Sequence, residues 1–149
     1  MGYGDYYHRI IIYFDGASRN NPRGPAGCGW TMYEMDNNGA DSYQIASDNE
    51  SLGYNVSNNQ AEYRGLTRAL EYLSDNDISC QGLYIRGDSE IVINQLLGDY
   101  NVRSRNIIGY YNQAVDMINE IQCVHVNYRW IPRDKNWEAD DLANNAIDH

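Results

Sequence analysis

Four carboxylates in this 149-residue chain occupy apolar surroundings: Asp15, Glu62, Asp88 and Asp140. Asp15 closes the apolar run Ile10–Phe14, the kind of run a strand buried on both faces requires. Asp before Gly is also ordinary turn chemistry. Glu62 falls at 100° per residue on the same helical face as Leu66, Ala69, Leu70 and Leu73. A first-turn acid is favoured by the helix dipole, but the dipole does not explain a place on the apolar stripe. Asp88 follows the short apolar segment GLYIRG and could simply cap the next helix. In the last segment Asp140 lies at the edge of the face formed by Ala139, Leu142, Ala143, Ala146 and Ile147. Asp141 points the other way, with Asn144, Asn145 and Asp148.

Gathered at one place, four half-buried like charges would repel, and desolvation would drive their pKa values upward until some protonated. A hard divalent cation removes that conflict, because Mg²⁺ and Mn²⁺ take oxygen ligands. Mg²⁺ keeps several waters and bonds phosphate readily, so a carboxylate cluster without His or Cys points to phosphate chemistry. Zinc is disfavoured, since His8, His125 and His149 form no ligand pair.

Positioning these acids requires strand ends and helix starts to converge. Residues 9–18, 26–35 and about 42–53 read as three successive strands, the first buried and the second alternating. Residues 59–73 read as a helix, 82–87 as a strand, 89–97 as a helix, and 104–121 as a longer helix striped by Ile107, Ile108, Tyr111, Val115 and Ile118. Residues 123–131 read as a strand and 136–147 as a last helix. Three strands followed by helix–strand alternation predict an α/β fold with a mixed sheet covered by helices.

The length suits a single domain, 1–149, with residues 1–8 as a short extension. A hydrophobic content of 42% excludes a disordered chain, and no apolar run approaches the roughly 20 residues of a membrane span. The start MGYGDYYHR lacks a signal-peptide core. The expected place is therefore the cytoplasm, or the nucleus or an organelle in a eukaryote, rather than outside the cell. Cys28, Cys80 and Cys123 are odd in number and widely spaced, which predicts free buried thiols in a reducing compartment. A net charge of −10 argues against nucleic acid on composition alone. Yet six of the eleven basic residues gather in three expected loops: Arg19 and Arg23, Arg103 and Arg105, Arg133 and Lys135.

The segments FDGASRNNPRGPAGCGW, NNQAEYRGL, GDSEIVINQL and WIPRDKNWEADDLANNAI together resemble type 1 ribonuclease H, especially its compact archaeal and plant-like members. They keep the family's order and span about residues 9 to 147. The resemblance implies a ribonuclease H-like fold: a mixed five-stranded sheet, three antiparallel strands then two parallel additions, flanked by helices. It implies a metal-dependent endonuclease that cuts the RNA strand of RNA/DNA hybrids to 5′-phosphate and 3′-hydroxyl ends. Its acidic tetrad falls on Asp15, Glu62, Asp88 and Asp140. Two Mg²⁺ or Mn²⁺ ions roughly 4 Å apart would share Asp15. Asp140 would help hold the ion that activates water, and Glu62 and Asp88 the ion at the leaving 3′ oxygen.

The same resemblance assigns substrate contacts to Asn21, Asn58 and Asn59, whose amides suit the 2′-hydroxyl. It adds Glu90 for the RNA, Ser57 for a DNA phosphate and Tyr100 for a DNA sugar. Asn21 before Pro22 is also good turn chemistry, and Ser57 or Asn58 could cap the helix. Trp130 and Trp137 read as packing residues. The chain departs from bacterial members in its loop IPRDKN, which has no histidine, and Arg133 is the candidate assistant there. No amino-terminal hybrid-binding module fits before the first strand. With the −10 charge, this predicts weak, salt-sensitive binding. A monomer is the default expectation. The rivals are another enzyme on the same scaffold and a catalytically inactive module that binds nucleic acid or protein; the latter would require a lost carboxylate, and none is lost.

Overall fold

A computed structural model describes residues 4–148. The first three residues of the expected extension, and His149, lie outside the described residues. The elements run β1 (Tyr6–Ser18), β2 (Pro25–Met35), β3 (Asp41–Tyr54), α1 (Asn58–Asp75), β4 (Ser79–Gly87), α2 (Glu90–Leu97), α3 (Arg105–Glu120), β5 (Gln122–Trp130), a 3-10 turn (Arg133–Asn136) and α4 (Trp137–Asp148). The first strand thus takes in Tyr6, Tyr7 and His8, which the sequence assigns to an extension.

The five strands form one sheet in the order β3-β2-β1-β4-β5. β1, β2 and β3 pair antiparallel, and β4 and β5 join parallel to β1. The mixed sheet expected from the sequence is therefore present. Parallel pairing needs a crossover, and α1 supplies it between β3 and β4, as α2 and α3 do between β4 and β5.

Burial explains why β1 is apolar throughout. Ile10, Ile12 and Phe14 enter a core with Leu66, Leu70 and Leu73 of α1, Leu83 and Ile85 of β4, and Val92 and Ile93 of α2. Each such side chain contributes about 1.5–3 kcal/mol by leaving water. β2 alternates in sequence yet is buried on both faces from Ala26 to Met32, because α4 covers the side away from that core. Gly29 permits the approach: a Cβ there would lie 2.7 Å from the Ala143 nitrogen.

The α3 stripe is rotated from the expected one. Ile107 and Ala114 are buried, whereas Ile108 is 46% exposed. The inward face runs through Ile107, Tyr111, Ala114 and Ile118, and Ile108 sits 100° to its side. Cys80 and Cys123, register partners on β4 and β5, form a disulfide, and only Cys28 is a free, buried thiol among the described residues. This overturns the expectation of three free thiols: 43 residues separate the pair in sequence, but parallel strand pairing brings their Cα atoms to 4.6 Å. It also removes the thiol argument for a reducing compartment. No described helix is long and apolar enough to cross a membrane.

Candidate active site

Three of the four singled-out acids meet. One carboxylate oxygen from each of Asp15, Glu62 and Asp88 lies within 4.8 Å of the others. Asp140 lies outside that trio but close enough to Asp15 to add to the upward push on its pKa. Asp15, Glu62 and Asp88 line a cavity of about 440 Å³ together with Arg19, Asn58, Asn59, Arg133 and Asn144, and Asp140 lies just outside that lining.

Each acid arrives by a different element. Asp15 is buried in β1, three residues before the strand ends at Ser18, so it is a strand residue and not a turn-former. Its Oδ1 accepts the Gly16 N–H at 2.9 Å. Glu62 comes from the first turns of α1 and is 6% exposed, on the inward face as its spacing predicts. Gly16 makes that convergence possible, since a Cβ there would lie 2.3 Å from the Glu62 nitrogen.

Asp88 follows β4, but it does not cap α2. Ser89 does, its hydroxyl accepting the Val92 N–H at 3.2 Å, which leaves the Asp88 carboxyl to the cavity. Ser57 caps α1 in the same way, in a capping box with Gln60. Asp140 is half-buried in α4 while Asp141 is exposed, as the periodicity requires.

Burial dominates the electrostatics. It pushes Asp15 from 3.8 up to about 7, with repulsion from Asp88 adding to it. Burial and the Asp15 charge hold Glu62 well above the usual carboxylate range, and burial raises Asp88 against a hydrogen bond from Asn136. Glu62 Oε2 is buried with no hydrogen-bond partner. An all-carboxylate donor set with an orphaned buried oxygen and unrelieved mutual repulsion fits a hard divalent cation.

The amides form the rim. Asn58 Oδ1 accepts the Ser18 N–H at 2.8 Å, and Asn21 Oδ1 accepts the Asn58 N–H at 3.1 Å. Each carbonyl is thus committed to backbone, which turns the amide NH₂ groups elsewhere. Arg133 Nη2 lies 3.6 Å from Asp140 Oδ1, at the cavity. Asn21, Ser57, Glu90 and Tyr100 do not line it; Asn21 reaches it only through its bond to Asn58. Glu90 is exposed at the start of α2, and Tyr100 borders a separate cavity with Val102, Ile108 and Tyr111. Trp130 donates its indole N–H to the Asp88 carbonyl at 3.0 Å, a packing role, whereas Trp137 is 61% exposed and does not serve as one.

Two asparagines escaped the sequence reading. Asn136 is buried, donates to the Phe14 carbonyl at 2.9 Å, and its amide works against burial to lower the Asp88 pKa. Asn144 donates to Asp140 Oδ1 at 3.1 Å and lines the cavity, although the sequence places it on the solvated face with Asp141. The 140/144 spacing of one helical turn carries the correct signal. A polar residue directly before the last helix is the only hint of Asn136.

Residues 13–146 match the family described as reverse transcriptase-like. The chain is 34% identical over 140 residues to a bifunctional protein of Mycobacterium tuberculosis, covering 94% of this chain and 36% of that protein. It is equally identical over 140 residues to ribonuclease HI of Halobacterium salinarum, covering 94% of this chain and 65% of that protein. The chain therefore spans only part of the curated relatives it matches. Among solved structures, LC11-RNase H1 in complex with an RNA/DNA hybrid superposes with a TM-score of 0.81 at 34% identity, covering 93% of this chain and 96% of that one. The chain belongs to the reverse transcriptase-like family, and its domain is of the type 1 ribonuclease H kind.

Proposed function

We propose that the chain hydrolyses the RNA strand of RNA/DNA hybrids to 5′-phosphate and 3′-hydroxyl ends, with Asp15, Glu62, Asp88 and Asp140 as the ligands of two Mg²⁺ or Mn²⁺ ions. The observation that carries this reading is the convergence of three buried or half-buried carboxylates within 4.8 Å. The likeness to ribonuclease HI and to a structure solved with a hybrid supports the choice of substrate.

Bound there, the ions would offset the carboxylate repulsion, polarise the scissile phosphate and lower the pKa of water. The chain's own residues do the positioning. Gly16 N–H fixes the Asp15 carboxylate, Asn144 fixes Asp140, and Asn136 fixes Asp88. The NH₂ groups of Asn21, Asn58 and Asn59 serve as donors toward the 2′-hydroxyls that distinguish RNA. Arg133, exposed beside Asp140, donates to a phosphate oxygen in the role a loop histidine would fill. Farther out, the Ser57 hydroxyl reaches a DNA phosphate, Tyr100 packs against a DNA sugar, and Glu90 contacts the RNA. All four acids come from one chain, so the site needs no second copy, which favours a monomer acting where hybrids form, in the cytoplasm or a nucleic-acid-bearing organelle.

The test is incubation with labelled RNA/DNA hybrid, duplex DNA and duplex RNA in Mg²⁺, Mn²⁺ or EDTA, beside Asp15→Asn. Cleavage of the hybrid's RNA strand alone, dependent on metal and lost in the variant, is expected. Cleavage that survives EDTA, or equal attack on duplex DNA, overturns the proposal.

A further inference from the structure

The face of the sheet opposite the core is only partly covered. α4 lies over β2, β1 and β3, and among the described residues no helix packs on the β4–β5 part of that face. Strand register arranges this face in three rows, Arg9–Gly82–His125, Ile11–Tyr84–Asn127 and Tyr13–Arg86–Arg129. His125, Asn127 and Arg129 on β5 are exposed, Arg9, Tyr13 and Tyr84 are half-buried, and Ile11, Gly82 and Arg86 form its buried floor. In a chain with 21 acids and 11 basic residues, these nine positions hold three arginines and no acid.

The third row carries the main anomaly. Arg86 and Arg129 are directly opposed, a like-charge pairing that destabilises a sheet unless something offsets it. Arg86 is only 7% exposed, so its charge sits largely out of water. Its guanidinium donates to Asn127 Oδ1 at 2.9 Å and lies 5.5 Å from the Tyr84 ring centre, but it forms no ion pair among the described residues. A buried cation ordinarily has a counter-charge. Asp41, at the β1 edge of this face, is engaged by the Tyr13 hydroxyl, which its carboxylate accepts at 2.9 Å. Beside the arginine pair, Arg9, Tyr84, His125 and Asn127 line a cavity of about 370 Å³.

Position indicates which anion. On β1 the next residue on the same face after Tyr13 is Asp15, roughly 7 Å along the strand, and Asp88 follows directly where β4 ends at Gly87, two residues after Arg86. The arginine rows therefore run straight up to the carboxylate cluster. Guanidinium groups match phosphate oxygens in fork geometry, and amides and phenols add further donors.

We propose that this open face of β1, β4 and β5 binds the phosphate backbone of a nucleic-acid strand continuing from the active site, with Arg86 and Arg129 at its centre. The proposal rests on the nuclease reading only for the strand's origin. Its binding test needs no cleavage.

The experiment uses Asp15→Asn protein, so that nucleic acid stays intact, and follows binding of a labelled RNA/DNA hybrid and of single-stranded DNA by anisotropy across a salt series. Arg129→Gln, an exposed change that leaves the core untouched, should weaken binding about threefold to tenfold and reduce the salt slope by about one. Arg68→Gln removes the same charge from the opposite part of the molecule, where Arg68 pairs with Glu50 and Glu71, and should leave binding unchanged. Arginine side-chain NMR signals of Arg86 and Arg129 should move on titration with the oligonucleotide. Wild-type affinity in Arg129→Gln, an equal loss in Arg68→Gln, or competition by polyglutamate of matched charge as strong as by oligonucleotide would each overturn the proposal. Failure of hybrid cleavage with this binding intact would sink the nuclease reading alone.

Discussion

Gly16 touches the start of α1 so closely that a Cβ on it would lie 2.3 Å from the backbone nitrogen of Glu62. This contact sets the distance between the strand that carries Asp15 and the helix that carries Glu62. Gly16→Ala must therefore push α1 away from β1. The expected outcome is a loss of about 1–3 kcal/mol in stability from overpacking, together with loss of metal-dependent activity well beyond what the stability loss explains. Denaturant melts and hybrid cleavage measured on the same samples check both.

The carboxylate cluster should announce its cation without any substrate. Divalent metal that binds the native state stabilises it by about 2.7 kcal/mol at a hundred times its dissociation constant. Thermal melts with Mg²⁺ or Mn²⁺ should rise relative to EDTA, and the rise should shrink in Glu62→Gln, which leaves the buried Oε site without its charge. An equal rise in wild type and variant would place the binding elsewhere.

In metal-free protein the same acids make stability fall as pH rises. Asp15 titrates at about 7 in the folded chain against an ordinary 3.8. The folded state therefore holds a proton that the unfolded state has released, and the linkage slope is negative between those values. The penalty is absent below about pH 4, grows through the interval, and is complete above about pH 7. The raised values of Glu62 and Asp88 act in the same direction. Melting temperatures in EDTA should drop from pH 5 to pH 8, by about 2–4 °C for each kcal/mol of repulsion. Asp15→Asn should flatten the trend.

Much of this site was legible in the chain because periodicity places side chains. Glu62 could be assigned inward from four apolar neighbours on one helical face, and Asp140 could be separated from Asp141 by a single 100° step. Asp88 was ambiguous until Ser89 proved to be the cap, since two adjacent residues could each fill that role. What the sequence hides depends on register between distant strands. Neither the Cys80–Cys123 pairing nor the opposed Arg86 and Arg129 has a local signal, and both follow from how β4 aligns with β5. Ile108 misled for another reason: α3 buries only a narrow stripe, and Ile108 lies on the side of Ile107 away from Ala114, which marks where that stripe runs.

Asn136 should prove as important as an acid. Its side chain ties the turn before α4 to the Phe14 carbonyl of β1, and its amide favours the charged form of Asp88, so one buried amide bears on three elements of the site. Asn136→Ala leaves the Phe14 carbonyl without that partner, costing about 1–3 kcal/mol, and should also weaken metal binding by loosening Asp88. Metal titration followed by melting temperature separates the two effects, because a purely structural role would lower stability with and without metal by the same amount.

The disulfide closes a loop of 43 residues between β4 and β5 and holds the edge strand that carries Arg129. Closing a loop of that size removes entropy from the unfolded chain, a stabilisation of about 2–4 kcal/mol. Reduction should lower the melting temperature by about 5–15 °C in a chain of this length. Cys80→Ala should match the reduced protein and no longer respond to reductant. Thiol titration in denaturant should find one reactive group, Cys28, before reduction and three after it. Three thiols before reduction would show the strands held by hydrogen bonds and packing alone.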